Sequence, residues 1–186
     1  MSVTTVSSSM ITDATILNAD IGAAAAIATT KLGAGATVQV VNVQTGAVAS
    51  GTTLIPSDDT IPQNSEGDEY MTLAITPTDA SNKLKIDVVL FASHSRDGSW
   101  IPSALFQDST TGALASMFGN YNAGSALAGA GESFTHYMTA GTTSATTLKV
   151  RVGGSHTGTT TFNGQGGGRK HGGVMASSIT ITEIQV

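Results

Sequence analysis

The chain of 186 residues has no cysteine, so disulfides, thiolate metal ligands and thiol nucleophiles are all excluded. Charge is also scarce. Only 11% of the residues are Asp, Glu, Lys or Arg, and 8 Lys+Arg stand against 13 Asp+Glu, for a formal net charge of -5. The cations are scattered from Lys31 to Lys170 with no basic stripe, which argues against nucleic acid and against anionic membrane surfaces as partners. Aromatic residues make up 5% of the chain and Trp100 is the single tryptophan, thin provision for a glycosidase cleft. Long hydrophobic runs are missing as well. The longest, "IGAAAAIA", falls far below the roughly 18 residues of a spanning helix, and "MSVTTVSSSM" has neither the basic start nor the apolar centre of a signal peptide. The expectation is a chain made in the cytoplasm, without membrane insertion, that reaches the exterior by lysis.

What is present is a long series of short β-type runs. The composition changes at "LGAGAT", Leu32 to Thr37, where two glycines separate an Ala-rich front from the first Val-rich run. Residues 1–36 are therefore read as an appendage and 37–186 as the body. Runs such as "TVQVVNVQT", "TTLIP", "EYMTLAI", "KLKIDVVLFAS", "TTLKVRVG" and "SITITEIQV" alternate apolar and polar residues, and "NSEGDE", "TPTDASN", "RDG" and "GGSHTG" supply turns. The body is predicted to be an all-β jelly-roll sandwich of about 8–10 antiparallel strands, with no long amphipathic helix after residue 36. Open strand edges need charge, cover or pairing, and this chain has little charge. That favours a closed symmetric oligomer.

The appendage spaces its large aliphatics at Ile11, Ile16, Ile21, Ile27 and Leu32, which fits neither the helical nor the strand period throughout. Either residues 20–32 form one short helix capped by Asn18 or Asp20, or residues 12–20 are extended pieces whose isoleucines point to a common axis. Such a segment buries too little by itself to offset its ordering, so it is expected to associate with copies of itself or to dock on another protein. These five aliphatics are the candidate anchor residues.

Catalytic patterns are weak. His94, His136, His156 and His171 are far apart, with no metal-ligand spacing, and read as loop histidines with one on the strand "SFTHYMTA". No nucleophile elbow occurs, and the carboxylate pairs in "SDDT" and "GDE" sit in turn sequences. "GQGGGR" precedes no helix and lacks the Lys-Ser/Thr pair of a phosphate loop. Trp100, opening the run "SWIPSALF", reads as a core residue before a sugar platform. No enzyme activity, cofactor or metal is expected.

The front segment "ITDATILNADIGAAAAIATTKL" resembles the linker at the start of tailed-bacteriophage fibre and head-decoration proteins. The runs "VQVVNVQTG", "IPQNSEGDEYMTLAITPTDASNKLKIDVV", "ALFQDSTTGALA", "THYMTAGTTSATTLKVRVG", "TFNG" and "SSITITEIQV" are similar to the trimeric jelly-roll heads of such proteins, which share their architecture with tumour-necrosis-factor and complement-type heads. The resemblance implies a homotrimeric virion protein, either a capsid decoration or head fibre held to the major capsid protein or another virion protein through residues 1–36, or a tail-fibre adhesin that binds a host-surface glycan or protein. The loops "HSRDGSW" and "NGQGGGRKHGG" depart from it and would carry recognition, together with "NYNAGSALAGAGE" on the adhesin reading. Candidate ligand residues there are His94, Arg96, Asp97, Trp100, Gln165, Arg169, Lys170 and His171.

Overall fold

The computed structural model describes residues 31–119, 124 and 127–186. Ile11, Ile16, Ile21 and Ile27 lie outside the described residues, and Leu32 is partly exposed. The chain divides between Leu32 and Gly33, and the fold that follows is that of the unit Gly33–Val186.

Alternation of apolar and polar residues produces twelve strands: β1 (Thr37–Thr45), β2 (Ala49–Gly51), β3 (Asp68–Ile75), β4 (Lys83–His94), β5 (Ser103–Gln107), β6 (Ala115–Met117), β7 (Gly129–Thr139), β8 (Thr146–Val152), β9 (Thr160–Phe162), β10 (Gly164–Gln165), β11 (Gly168–Arg169) and β12 (Ser177–Ile184). Eight of them pair as a single folded ribbon: β1 with β12, β3 with β8, β4 with β7, and β5 with β6, all antiparallel. First pairs with last and each later strand with the next one inward, which is the winding of a jelly roll. The expected all-β sandwich is what the chain forms.

One sheet holds β1, β12, β4 and β7 in that order, with β9 and β2 continuing past the end of β12; the other runs β3-β8-β5-β6. β4 is long enough to serve two neighbours on one edge, β12 along Lys83 to Val89 and β9 along Ala92 to His94. The junction is fixed by Asn163, whose amide nitrogen donates to the carbonyls of Thr45 and Ala47 while its side-chain oxygen accepts from Ser177 Oγ at 2.7 Å. Each of these polar groups is thereby satisfied where water is absent.

The core lies between the sheets. Leu84, Ile86, Val88 and Leu90 of β4 and Ile179 and Ile181 of β12 face Met71, Ile75, Leu148, Val150 and Val152 of the second sheet. Burial of each such side chain is worth about 1.5–3 kcal/mol against exposure. A smaller cluster of Ile55, Ala104 and Phe106 closes one side. Ile55 belongs to "TTLIP", expected as a strand but folded as an irregular crossing segment. Its backbone is held instead by Ile55 N donating to Gly154 O and Gly67 N donating to Leu54 O.

The inward phase of β12 ends on a carboxylate. Glu183 is fully buried and accepts from Thr78 N and Oγ1 (both 2.8 Å), Asp79 N (3.3 Å), Asn82 Nδ2 (2.6 Å) and Gln39 Nε2. Burial alone would raise its pKa, yet these donors together hold it below the ordinary value. The β3–β4 turn is thus clamped to β12.

The outer face of the β1-β12-β4-β7 sheet has a different character. Register aligns Val40, Thr182, Lys85 and Tyr137 in one row, Asn42, Thr180, Asp87 and Thr135 in the next, then Gln44, Ser178, Val89 and Ser133. Val40, Val89 and Tyr137 are about half exposed, and Lys85 is neutralised by Asp87 at 2.7 Å. Among the described residues no helix is long and apolar enough to cross a membrane.

Candidate functional site

The two edge strands β6 and β7 belong to opposite sheets, and a groove of about 480 Å³ lies where they meet. Its volume falls in the range of small-molecule sites. One wall is aromatic. The segment before β5 is pinned to the loop after β8, because Trp100 N donates to Ser155 Oγ, Ser155 N donates to Trp100 O, and Gly153 N donates to Pro102 O. This sets the Trp100 indole against Phe118, which follows β6. The ring centroids are 4.6 Å apart and the planes tilted by 36°. Phe118 is 50% exposed, and Trp100 lies outside both buried clusters. The core role expected for Trp100 is therefore not the one it has: the turn before β5 leaves it at the rim.

The opposite wall is β7, whose Ala130 and Gly131 leave the groove open and whose Glu132 supplies its acid. Glu132 is only 8% exposed. Its Oε2 accepts from Ser103 Oγ at 2.9 Å, a link between the two sheets, while Oε1 is buried with no hydrogen-bond partner. Burial pushes this carboxyl up to about 7, and the Ser103 bond opposes only part of that. Glu132 thus exchanges its proton near neutrality, and below about pH 7 it is a neutral acid, able to donate as well as accept. Gly119 fits the site for a steric reason, since a Cβ there would fall on Glu132 Oε1 and Ile101 O.

Of the candidate ligand residues, Trp100 alone lines this groove, although Ala130, Gly131 and Glu132 end the loop "NYNAGSALAGAGE". His94, expected in an exposed loop, is buried at the end of β4; its Nδ1 accepts from Arg96 N, and burial lowers its pKa. Arg96 Nη1 donates to Thr157 Oγ1 at 3.2 Å, and Asp97 accepts from Gly124 N at 2.7 Å. Gln165 donates to Leu127 O, while Leu127 N donates to His94 O, so the end of β4 and the β10–β11 hairpin are joined through residue 127. That hairpin turns on Gly166 (φ 59) and Gly167 (φ 77), a left-handed pair that glycine adopts without strain. Arg169 on β11 and Lys170 and His171 after it are exposed.

Phe118, Ser103 and Gly119 were not foreseen, and Glu132 only as the last residue of the loop "NYNAGSALAGAGE". Glu132 did leave a signal, because Glu132, Phe134, His136 and Met138 share one phase of β7, and a carboxylate in an otherwise core-facing phase is anomalous. Among the described residues no group of three His, Asp or Glu could hold a metal ion.

No family model and no curated protein matches the sequence. Solved structures that match include infectious bursal disease virus Gx strain at 13% identity and a TM-score of 0.36, covering 80% of this chain and 37% of that chain. The Gt strain matches at 14% with the same TM-score, covering 81% and 38%. T=1 particles derived from infectious bursal virus match at 16% and 0.36, covering 81% and 37%. The chain spans less than two-fifths of the length of the chains it matches. At these scores the likeness carries no functional argument.

Proposed function

We propose that this protein is a non-enzymatic structural component of a bacteriophage virion, a homotrimeric capsid decoration or head fibre assembled in the host cytoplasm and anchored to the major capsid protein or another virion protein through residues 1–36. The observation that carries the reading is the outer face of the β1-β12-β4-β7 sheet. Its rows of Thr, Ser and half-exposed Val40, Val89 and Tyr137 contain a single ion pair, Lys85 with Asp87, so burying the face against further copies leaves no charge unpaired there apart from Lys83 at its margin. The resemblance of the front segment and of the strand runs to phage fibre proteins supports the same reading. Light scattering of the full chain should give three copies, and Thr180→Arg, which sets a cation in the middle of that face, should dissociate them. A monomeric wild type refutes the trimer. Antibody against residues 37–186, imaged on intact particles, tests location: label over the head supports decoration, and absence from every particle removes the virion reading.

A second reading, the tail-fibre adhesin, is favoured by the groove of Trp100, Phe118 and Glu132, which a purely structural protein does not need. Label at the tail would select it.

A further inference from the structure

We propose that the groove between β6 and β7 binds a neutral sugar, one face of the ring lying on Trp100 and Phe118 and a hydroxyl hydrogen-bonded to Glu132. As a recognition site it rests on the adhesin reading; its ligand class comes from the groove itself.

The first argument is the orphaned oxygen. Glu132 Oε1 is buried and unpartnered at the groove wall, although Oε2 of the same carboxyl is fixed by Ser103. A buried polar atom without a partner costs free energy that a hydroxyl in the groove would recover.

The aromatic geometry decides the ligand class. Rings whose centroids are 4.6 Å apart are in contact with each other, so no group fits between them. A quaternary ammonium cage needs aromatic faces around the cation, and this pair forms a platform instead. An extended apolar face that also carries hydroxyls matches such a platform, and the C–H face of a pyranose is one. Charge supports the choice. Burial and the Ser103 bond account for the state of Glu132, with no charged side chain among the described residues acting on it, so below about pH 7 the wall presents a neutral acid and repels an anion less than a carboxylate would. Small residues at Gly119, Ala130 and Gly131 let a ring approach closely.

Trp100 is the only tryptophan in the chain, so intrinsic fluorescence of the full-length protein reports on the site directly. The titrants are D-glucose, D-galactose and N-acetyl-D-glucosamine, with choline chloride as the cationic comparison. At least one sugar should shift the emission saturably in the millimolar range. Phe118→Ala, at a half-exposed position that folding tolerates, should weaken that sugar about tenfold. Glu132→Leu should weaken it by a similar factor, and Glu132→Gln, which restores hydrogen bonding without charge, should bring affinity back to within about threefold of wild type. No saturable change with any of the three sugars overturns the proposal, as does an equal response in Phe118→Ala, or saturation by choline alone. Particle labelling is a separate measurement, so a groove that binds no sugar and a chain that sits on no particle are failures of different claims.

Discussion

Replacing Glu132 by Gln should make the protein more stable at neutral to alkaline pH and leave it unchanged in acid. The folded carboxyl is lifted from 4.5 to about 7 by burial, whereas the unfolded chain returns it to the ordinary value. Below about pH 4.5 both states hold the proton and the residue costs nothing extra. Between there and about pH 7 the unfolded chain releases its proton while the folded one keeps it, so stability falls as pH rises. Above about pH 7 both are ionised, and the loss stays constant at about 3 kcal/mol, taking roughly 1.4 kcal/mol per pH unit of separation. Glutamine keeps the shape and the Ser103 contact but cannot ionise. Variant and wild type should therefore melt together at about pH 4, and the variant should melt about 5–10 °C higher at about pH 8. Urea midpoints at matched protein concentration give the same comparison, since other titrating groups cancel in the difference. A difference that does not change between these pH values refutes the reasoning, because it would mean that Glu132 is not kept neutral by the fold.

The second carboxylate should behave oppositely. Glu183→Gln keeps a carbonyl acceptor for Thr78 and Asn82 but loses the charge and the Gln39 bond, and should cost about 2 kcal/mol at neutral pH. Because the folded pKa of Glu183 is lowered, its stabilisation is present above about pH 4.5 and disappears as pH falls through the folded value, so the gap to wild type should close in acid urea titrations. Phe106→Ala empties a site that is 1% exposed beside Ile55 and Ala104, and should cost about 3–5 kcal/mol by the same assay.

The strands were legible because they bury one face each. Leu84, Ile86 and Val88 against Lys83, Lys85 and Asp87 state both the strand and its orientation, and β12 and β8 read equally well. "TTLIP" was misleading for a physical reason: Leu54 and Ile55 have strand composition, but the backbone of Ile55 is satisfied by Gly154, a partner more than ninety residues away that no local pattern reveals. The groove was half legible. The single tryptophan drew attention to Trp100, yet its partner Phe118 follows β6, the neighbour of β5 in the same sheet, while the opposing Glu132 comes from β7 at the edge of the other sheet, and only the winding of the ribbon brings that wall within reach. His94 looked like a loop residue because "HSRDGSW" begins with turn chemistry, whereas β4 runs on through it and buries the ring.

Glu132 and Glu183 show why burial alone does not identify a site. Both sit in the inward phase of a strand, and both lose most of their contact with water. Glu183 collects five donors from β1 and the β3–β4 turn, which offset the desolvation and lower its pKa, so the charge is part of the clamp that closes the sandwich. Glu132 has one donor, and its second oxygen has none. A fold that needed an acid there only for packing would be better served by an apolar side chain of the same size, since one unsatisfied oxygen costs about 1–3 kcal/mol. Retention of the carboxyl beside an aromatic pair, in a groove kept open by small residues, is explained when the missing partner arrives from outside the chain. The deficit in hydrogen bonding, more than the acidity, is what sets Glu132 apart from Glu183.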